Sequence, residues 1–216
     1  MRADLLDVVA VYSNPIRWNS RLRLMREFEA HMLDSGVRLT TVECALGERP
    51  FDLADNPHIN RVRVRNRTLV WNKENLINIG ITRLPHDWKY LSWVDADVTF
   101  RKKHWTSETV HALQQYPIVQ PWSDCYDLGP DDDHLQHHKA FCHLHHHRKP
   151  IKPSSGGYQF AHPGYAWAAK RSAIDKLGGL FELGGAHAAG TAGLRVLFDA
   201  ANPLAYALRR FCRRAL

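Results

Sequence analysis

The chain has 216 residues, 44% of them hydrophobic and 24% charged, and a formal net charge of +7. That is chain enough for one well-cored domain, and the composition is that of an ordinary soluble globular protein. No apolar run reaches the length of a bilayer span, no basic-then-apolar leader opens the sequence, the four cysteines lack CxxC spacing, and the scattered arginines accompany no nucleic-acid-binding motif. The expectation is a cytoplasmic protein with no nucleic-acid partner, in a reducing compartment.

Asp7–Tyr12 predicts a first buried strand, ended by the turn Ser13-Asn14-Pro15. Leu22, Met25, Phe28, Met32 and Leu33 recur at helical spacing, and Ser35-Gly36 stops that helix. Val37–Cys44 alternates as a second strand, 46–58 reads as a loop, and Ile59–Arg65 alternates strictly as a third strand with its arginines toward water or ligand. A helix over 72–82 follows, then the apolar run Tyr90–Val94, a helix over 104–115 and a short strand at 117–121. Residues 122–158 carry Asp131-Asp132-Asp133 and seven histidines around Cys142, have no core period, and read as a long His-rich loop over a site. Gly164–Ala169 resumes as a strand, and Ser172–Leu177 is a helix stopped by Gly178-Gly179. The order predicts a single α/β domain over 1–183 with a mostly parallel central sheet flanked by helices.

The chemistry concentrates at Asp95-Ala96-Asp97, directly after the run Tyr90–Val94. A buried strand delivers its C-terminal residues to the edge where open α/β sheets bind ligands. Two acids spaced i, i+2 on extended chain face one way, and a hard cation such as Mn²⁺ or Mg²⁺ accepts such a pair together with phosphate oxygens and water. The competing reading is a solvated acidic turn.

Three segments, in order, resemble GT-A glycosyltransferases, closest to the β-1,4-galactosyltransferase-like domains and family 2 enzymes. Trp71-Asn72-Lys73-Glu74-Asn75 opens a helix similar to the one that precedes their metal motif. Asp95-Ala96-Asp97 looks like their DxD motif. His162–Trp167 followed by Leu177-Gly178-Gly179-Leu180-Phe181-Glu182 looks like their later strand and "GGF(D/E)" turn. The resemblance implies a GT-A fold and a metal-dependent transfer of sugar from a nucleotide sugar, a UDP-sugar above all, to a saccharide or glycolipid acceptor. It implies Asp97 as metal ligand, Asp95 near ribose and metal, Trp71 beside the base, Lys73 near the phosphates, Tyr12, Ser13 and Asn14 at the nucleotide, and Gly164 beside the donor sugar. The acidic stretch that follows the turn in these relatives is missing. His187 is then the candidate further metal ligand, and Asp124 and Asp127 are the remaining loop acids for a catalytic base.

From Gly184 to Leu216 the composition shifts to Ala, Gly, Leu and Arg, with Asp199 as the sole acid, and reads as a diverged or frame-altered tail. Leu204, Leu208 and Phe211 share a helical face beside Arg209, Arg210, Arg213 and Arg214, so this end can also be read as a basic amphipathic helix at the inner face of a membrane. The rival readings are a sugar nucleotidyltransferase, a degenerate GT-A domain that binds nucleotide or metal without catalysis, and a zinc-binding protein acting through residues 134–147.

Overall fold

The computed structural model describes residues 4–69, 72–129, 131–149 and 161–180. Trp71, His187 and the basic tail lie outside the described residues. Among the described residues eight strands and five helices follow one another as β1 (Leu6–Ser13), α1 (Asn19–Asp34), β2 (Arg38–Leu46), β3 (Ile59–Asn66), α2 (Lys73–Ile81), β4 (Tyr90–Val94), α3 (Trp105–Gln115), β5 (Ile118–Val119), β6 (Asp124–Leu128), β7 (His134–Lys139), α4 (Phe141–His146), β8 (Ala166–Lys170) and α5 (Arg171–Leu177). Six strands form one sheet in the order β3-β2-β1-β4-β8-β5. The pairs β1–β2, β2–β3 and β1–β4 are parallel, and β8 runs antiparallel to both β4 and β5. The predicted mixed α/β architecture with a mostly parallel sheet is the one observed.

Alternation along β1 divides the core between two faces. Val8, Ala10 and Tyr12 pack with Met25, Phe28 and Met32 of α1 and with Trp105 and Leu113 of α3. Val9 packs on the other face with Leu76 and Ile77 of α2, Trp167 of β8 and Ile174 of α5. Both faces of β1 are therefore apolar, as an unbroken run such as Val8-Val9-Ala10 requires.

One expectation holds in part and one is corrected. Of the β3 arginines, Arg63 and Arg65 are exposed to water as expected, whereas the Arg61 side chain is withdrawn to 6% exposure and forks onto Glu29, whose Oε1 also accepts a hydrogen bond from Thr41 Oγ1 at 2.9 Å. Arg63 pairs with Asp55 at 2.9 Å, and Arg65 donates to the carbonyls of Gly47 and Arg49 while lying over Phe51. These side chains staple the 47–55 connection to the sheet. The stretch expected as loop from 122 also folds: β6 and β7 form an antiparallel hairpin, followed by α4. Its cohesion is polar and aromatic, with Asp124 opposite Lys139 and the Tyr126 ring between His134 and His137, which is why no apolar period announces it.

Gly80 lets α2 approach the sheet closely. A Cβ there would stand 2.6 Å from Val9 Cγ1 and 2.9 Å from Val42 Cγ2. Gly80→Ala is therefore expected to destabilise the fold by roughly 1–3 kcal/mol through overpacking, despite the better helix propensity of alanine. In thermal unfolding this is a drop of about 2–4 °C per kcal/mol; an unchanged midpoint would show that the helix has room to move.

Candidate active site

Strand order locates the site before any side chain is considered. The chain builds outward from β1 to β2 and β3, then returns to place β4 on the other side of β1. Such a reversal opens a crevice beyond the C-terminal ends of the two central strands. A cleft of about 390 Å³ lies there, bordered by Ser13 after β1, Cys44 and Leu46 of β2, Asn66 of β3, and Asp95 and Asp97 after β4.

Asp95 is held from three directions. Lys73, the first residue of α2, forms an ion pair with its Oδ1, the backbone N–H donates to the Tyr165 carbonyl at 2.8 Å, and the carbonyl accepts from Val98 N–H at 3.2 Å in a tight turn. Asp97 lies in that turn and keeps an exposed edge. Desolvation by the surrounding cleft, then the like charge of Asp95, lifts its carboxyl above the ordinary carboxylate range against the pull of Lys73 and Arg21. Among the described residues no group of three or more His, Cys, Asp or Glu side chains is arranged to hold a metal ion. What the cleft offers is two carboxylates of hard oxygen, with an ammonium on one of them. That donor set fits a hard cation held jointly with phosphate oxygens and water.

Tyr12 and Asn14 are drawn into the scaffold. Tyr12 is buried, its hydroxyl donating to Asp52 Oδ2 at 3.2 Å and accepting from Asn14 Nδ2 at 3.0 Å; burial first, then Asp52, pushes the phenol up to about 12. The Asn14 carboxamide also brackets Trp18, accepting from its N–H and donating to its carbonyl, each at 3.0 Å. Ser13 offers its carbonyl to Arg21 Nη1 at 3.0 Å. Gly164 precedes β8, and a Cβ there would stand 2.7 Å from His162 Cε1, so the glycine admits the His162 ring.

The two hairpin acids differ. Asp124 is bound by Lys139, Ser123 and His137; partial burial works against ionisation, but these hydrogen bonds outweigh it and hold the carboxyl at about 2. Asp127 instead turns toward the residues before β8, accepting from Tyr165 Oη at 2.7 Å and from His138 Nε2 at 2.8 Å. Burial opposes ionisation here too, and the two donors outweigh it, so Asp127 also lies below the usual carboxylate range. His138 is buried, and its Nδ1 has no hydrogen-bond partner among the described residues. His162 stacks on Tyr165 with centroids 4.3 Å apart. The charge of Asp97 reaches Tyr165 and Cys125, so this cluster borders the Asp95–Asp97 turn. Sequence reading offered His138 only within the zinc alternative at 134–147 and gave Tyr165 and His162 no role beyond the strand they precede; the available signal was the polar density of His162-Pro163-Gly164-Tyr165 beside a histidine-rich stretch.

No family model and no curated protein sequence matches the chain. Among solved structures it is similar to 4-diphosphocytidyl-2C-methyl-D-erythritol synthase from Anaerococcus prevotii, with 11% identity over 92% of this chain and 86% of that one, at a TM-score of 0.43. It is also similar to a Drosophila β-1,4-galactosyltransferase 7 mutant in complex with manganese, UDP-Gal and xylobiose, with 12% identity over 90% of this chain and 59% of that one, at a TM-score of 0.42.

His162 generates a pH expectation. Burial, then the proximity of His138, lowers it from the ordinary imidazole value of 6.5 to about 4. The unfolded chain thus binds a proton that the folded chain refuses, and stability present above 6.5 is lost as pH falls toward about 4. Thermal unfolding across that window is expected to show the decline, and His162→Gln to flatten it; a variant with the same slope would assign the decline to other groups.

Proposed function

We propose that the chain is a metal-dependent glycosyltransferase that moves a sugar from a nucleotide sugar, a UDP-sugar, to a saccharide or glycolipid acceptor. The observation that carries this reading is the pair Asp95 and Asp97 on the wall of the cleft at the β1/β4 reversal, with Lys73 on Asp95. A nucleoside diphosphate needs such a combination: carboxylates to share a cation with its phosphates, and an ammonium as a fixed positive partner.

In this reading Asp95 and Asp97 hold Mn²⁺ or Mg²⁺, whose charge opposes the negative charge developing on the departing diphosphate. Lys73 exchanges its contact with Asp95 for a phosphate oxygen when the donor enters. Gly164 and the turn at Tyr165 border the sugar. Asp127, rather than Asp124, faces the acceptor: Asp124 is committed to Lys139 and lies far below the range useful to a base, whereas Asp127 has lone pairs left after Tyr165 and His138 are served. The Ser13–Arg17 turn argues for this reading over a nucleotidyltransferase, because the Asn14 carboxamide closes the turn on Trp18 instead of leaving an open phosphate-binding loop.

Calorimetric titration with UDP is expected to show binding that requires Mn²⁺ and that Asp97→Ala abolishes. A folded protein that ignores UDP with and without the ion would overturn the proposal. UDP binding without sugar transfer or donor hydrolysis would leave a nucleotide-binding domain that does no chemistry.

Once a donor is identified, Asp127→Asn is expected to lower turnover by on the order of a hundredfold or more while leaving UDP affinity within about threefold, the range expected for loss of a positioned proton acceptor. Asp124→Asn should stay within a fewfold of the parent. The reverse ranking would assign the acceptor side to the outer edge of the hairpin.

A further inference from the structure

The mouth of the cleft carries apolar side chains that the core does not use. Ile16, Trp18, Leu24 and Leu69 are 38–73% exposed. Trp18, Leu24 and Leu69 border the same cleft, and Ile16 lies on the turn beside them. Isolated surface leucines need no explanation, but four large apolar groups around one opening form a patch. They are also held outward. The Asn14 carboxamide fixes Trp18 through two hydrogen bonds of 3.0 Å, and Arg17 N–H closes the turn on the Asn14 carbonyl at 3.0 Å, so Ile16 and Trp18 project from a rigid turn.

The segments that carry the patch are positively charged, while Asp95 and Asp97 border the same cleft. Segments 16–24 and 67–69 contain Arg17, Arg21, Arg23 and Arg67 and no acid. All four arginines are exposed, and Arg21 lies over the Trp18 ring at 5.8 Å from its centroid. Asp52 and Glu27 offset part of this through Arg17 and Arg23, at 3.4 and 3.6 Å. Indole and aliphatic groups ringed by guanidinium suit the headgroup region of an anionic bilayer, where apolar tips enter the acyl boundary and cations meet phosphate. Among the described residues no helix is long and apolar enough to cross a membrane, so this contact would be peripheral.

We infer that the cleft mouth docks on an anionic phospholipid surface, and that the acceptor is therefore lipid-linked and presented from that surface. The docking stands on the patch alone; the lipid-linked acceptor rests also on the transferase reading.

The test is co-sedimentation of the full chain with vesicles of phosphatidylcholine alone or mixed with phosphatidylglycerol. Binding is expected to the mixed vesicles only and to weaken as salt is raised. Ile16→Ser with Arg23→Gln, neither of which borders the cleft, is expected to lower partitioning about tenfold at an unchanged unfolding midpoint. No binding, or equal binding by the double variant, overturns the docking surface, the latter moving attachment elsewhere on the chain. Concentration-dependent dimerisation of the parent that the variant loses would assign the patch to a second copy instead. A parallel UDP titration separates the two claims: vesicle binding without nucleotide binding removes only the lipid-linked acceptor, and nucleotide binding without vesicle binding removes only the docking.

Discussion

One residue joins the parts of this molecule that matter for chemistry. Asp95 ends the apolar run of β4, takes the ammonium of Lys73 from α2, and passes its backbone N–H to the Tyr165 carbonyl just before β8. The β4–β8 ladder closes at Val94 and Ala166, so the bond to Tyr165 adds one rung past the end of the sheet. That rung carries strain. Tyr165 has φ 70, a left-handed conformation that a non-glycine residue adopts at a cost of roughly 1–2 kcal/mol. The compensation is visible in its side chain, which bonds Asp127 and stacks on His162. The acid pair on one side and the hairpin cluster on the other are therefore fixed by the same short connection.

The distribution of positive charge follows from how the strands are covered. A net charge of +7 suggests a cationic ligand-binding surface, and β3, reading Ile59-Asn60-Arg61-Val62-Arg63-Val64-Arg65, is the natural place to look for one. It is not there. β3 is an edge strand, and its arginines turn onto Glu29, Asp55 and the carbonyls of the 47–55 connection. Glu43 completes that arrangement by accepting from the backbone N–H groups of Asp52 and Leu53. The guanidiniums consumed this way cannot serve a phosphate, and the cations that remain near the cleft are Lys73 on its wall and the arginines around its mouth.

The fold was legible because its signals are local. Val8-Val9-Ala10 demands a strand covered on both faces, and the spacing Met25, Phe28, Met32 demands a helix with one buried side, so strand, helix and sheet type could be read directly. The Asp95–Asp97 pair was legible for the same reason, as the polar end of an apolar strand. The remainder of the site was not, because it is assembled by contacts between distant positions. Asp127 meets Tyr165 across 38 positions and His138 across 11. Neither pairing leaves a period, and the hairpin that brings them together is held by polar and aromatic contacts that read as loop. Tyr12 and Asn14, marked for a ligand by their position at the end of β1, also hydrogen-bond each other there, a pairing that no local period announces, and Tyr12 keeps a place on the cleft wall.

These facts imply a division of labour between rigid and assembled structure. The cleft wall that carries Asp95, Asp97 and Lys73 is made of strand ends and one helix start, all anchored in the two-faced core, so its geometry is as firm as the sheet itself. The β6–β7 hairpin lies outside that sheet and is tied to the segment before β8 by the Tyr165 hydroxyl on Asp127 and by the His162 N–H on the Lys139 carbonyl at 2.8 Å. A hairpin of this size gains little from apolar burial and would be marginal alone. Because Tyr165 contributes its carbonyl to Asp95 and its hydroxyl to Asp127, the backbone that holds the acid pair and the acid that holds the hairpin meet in one left-handed residue, so the two sides of the cleft cannot be placed independently.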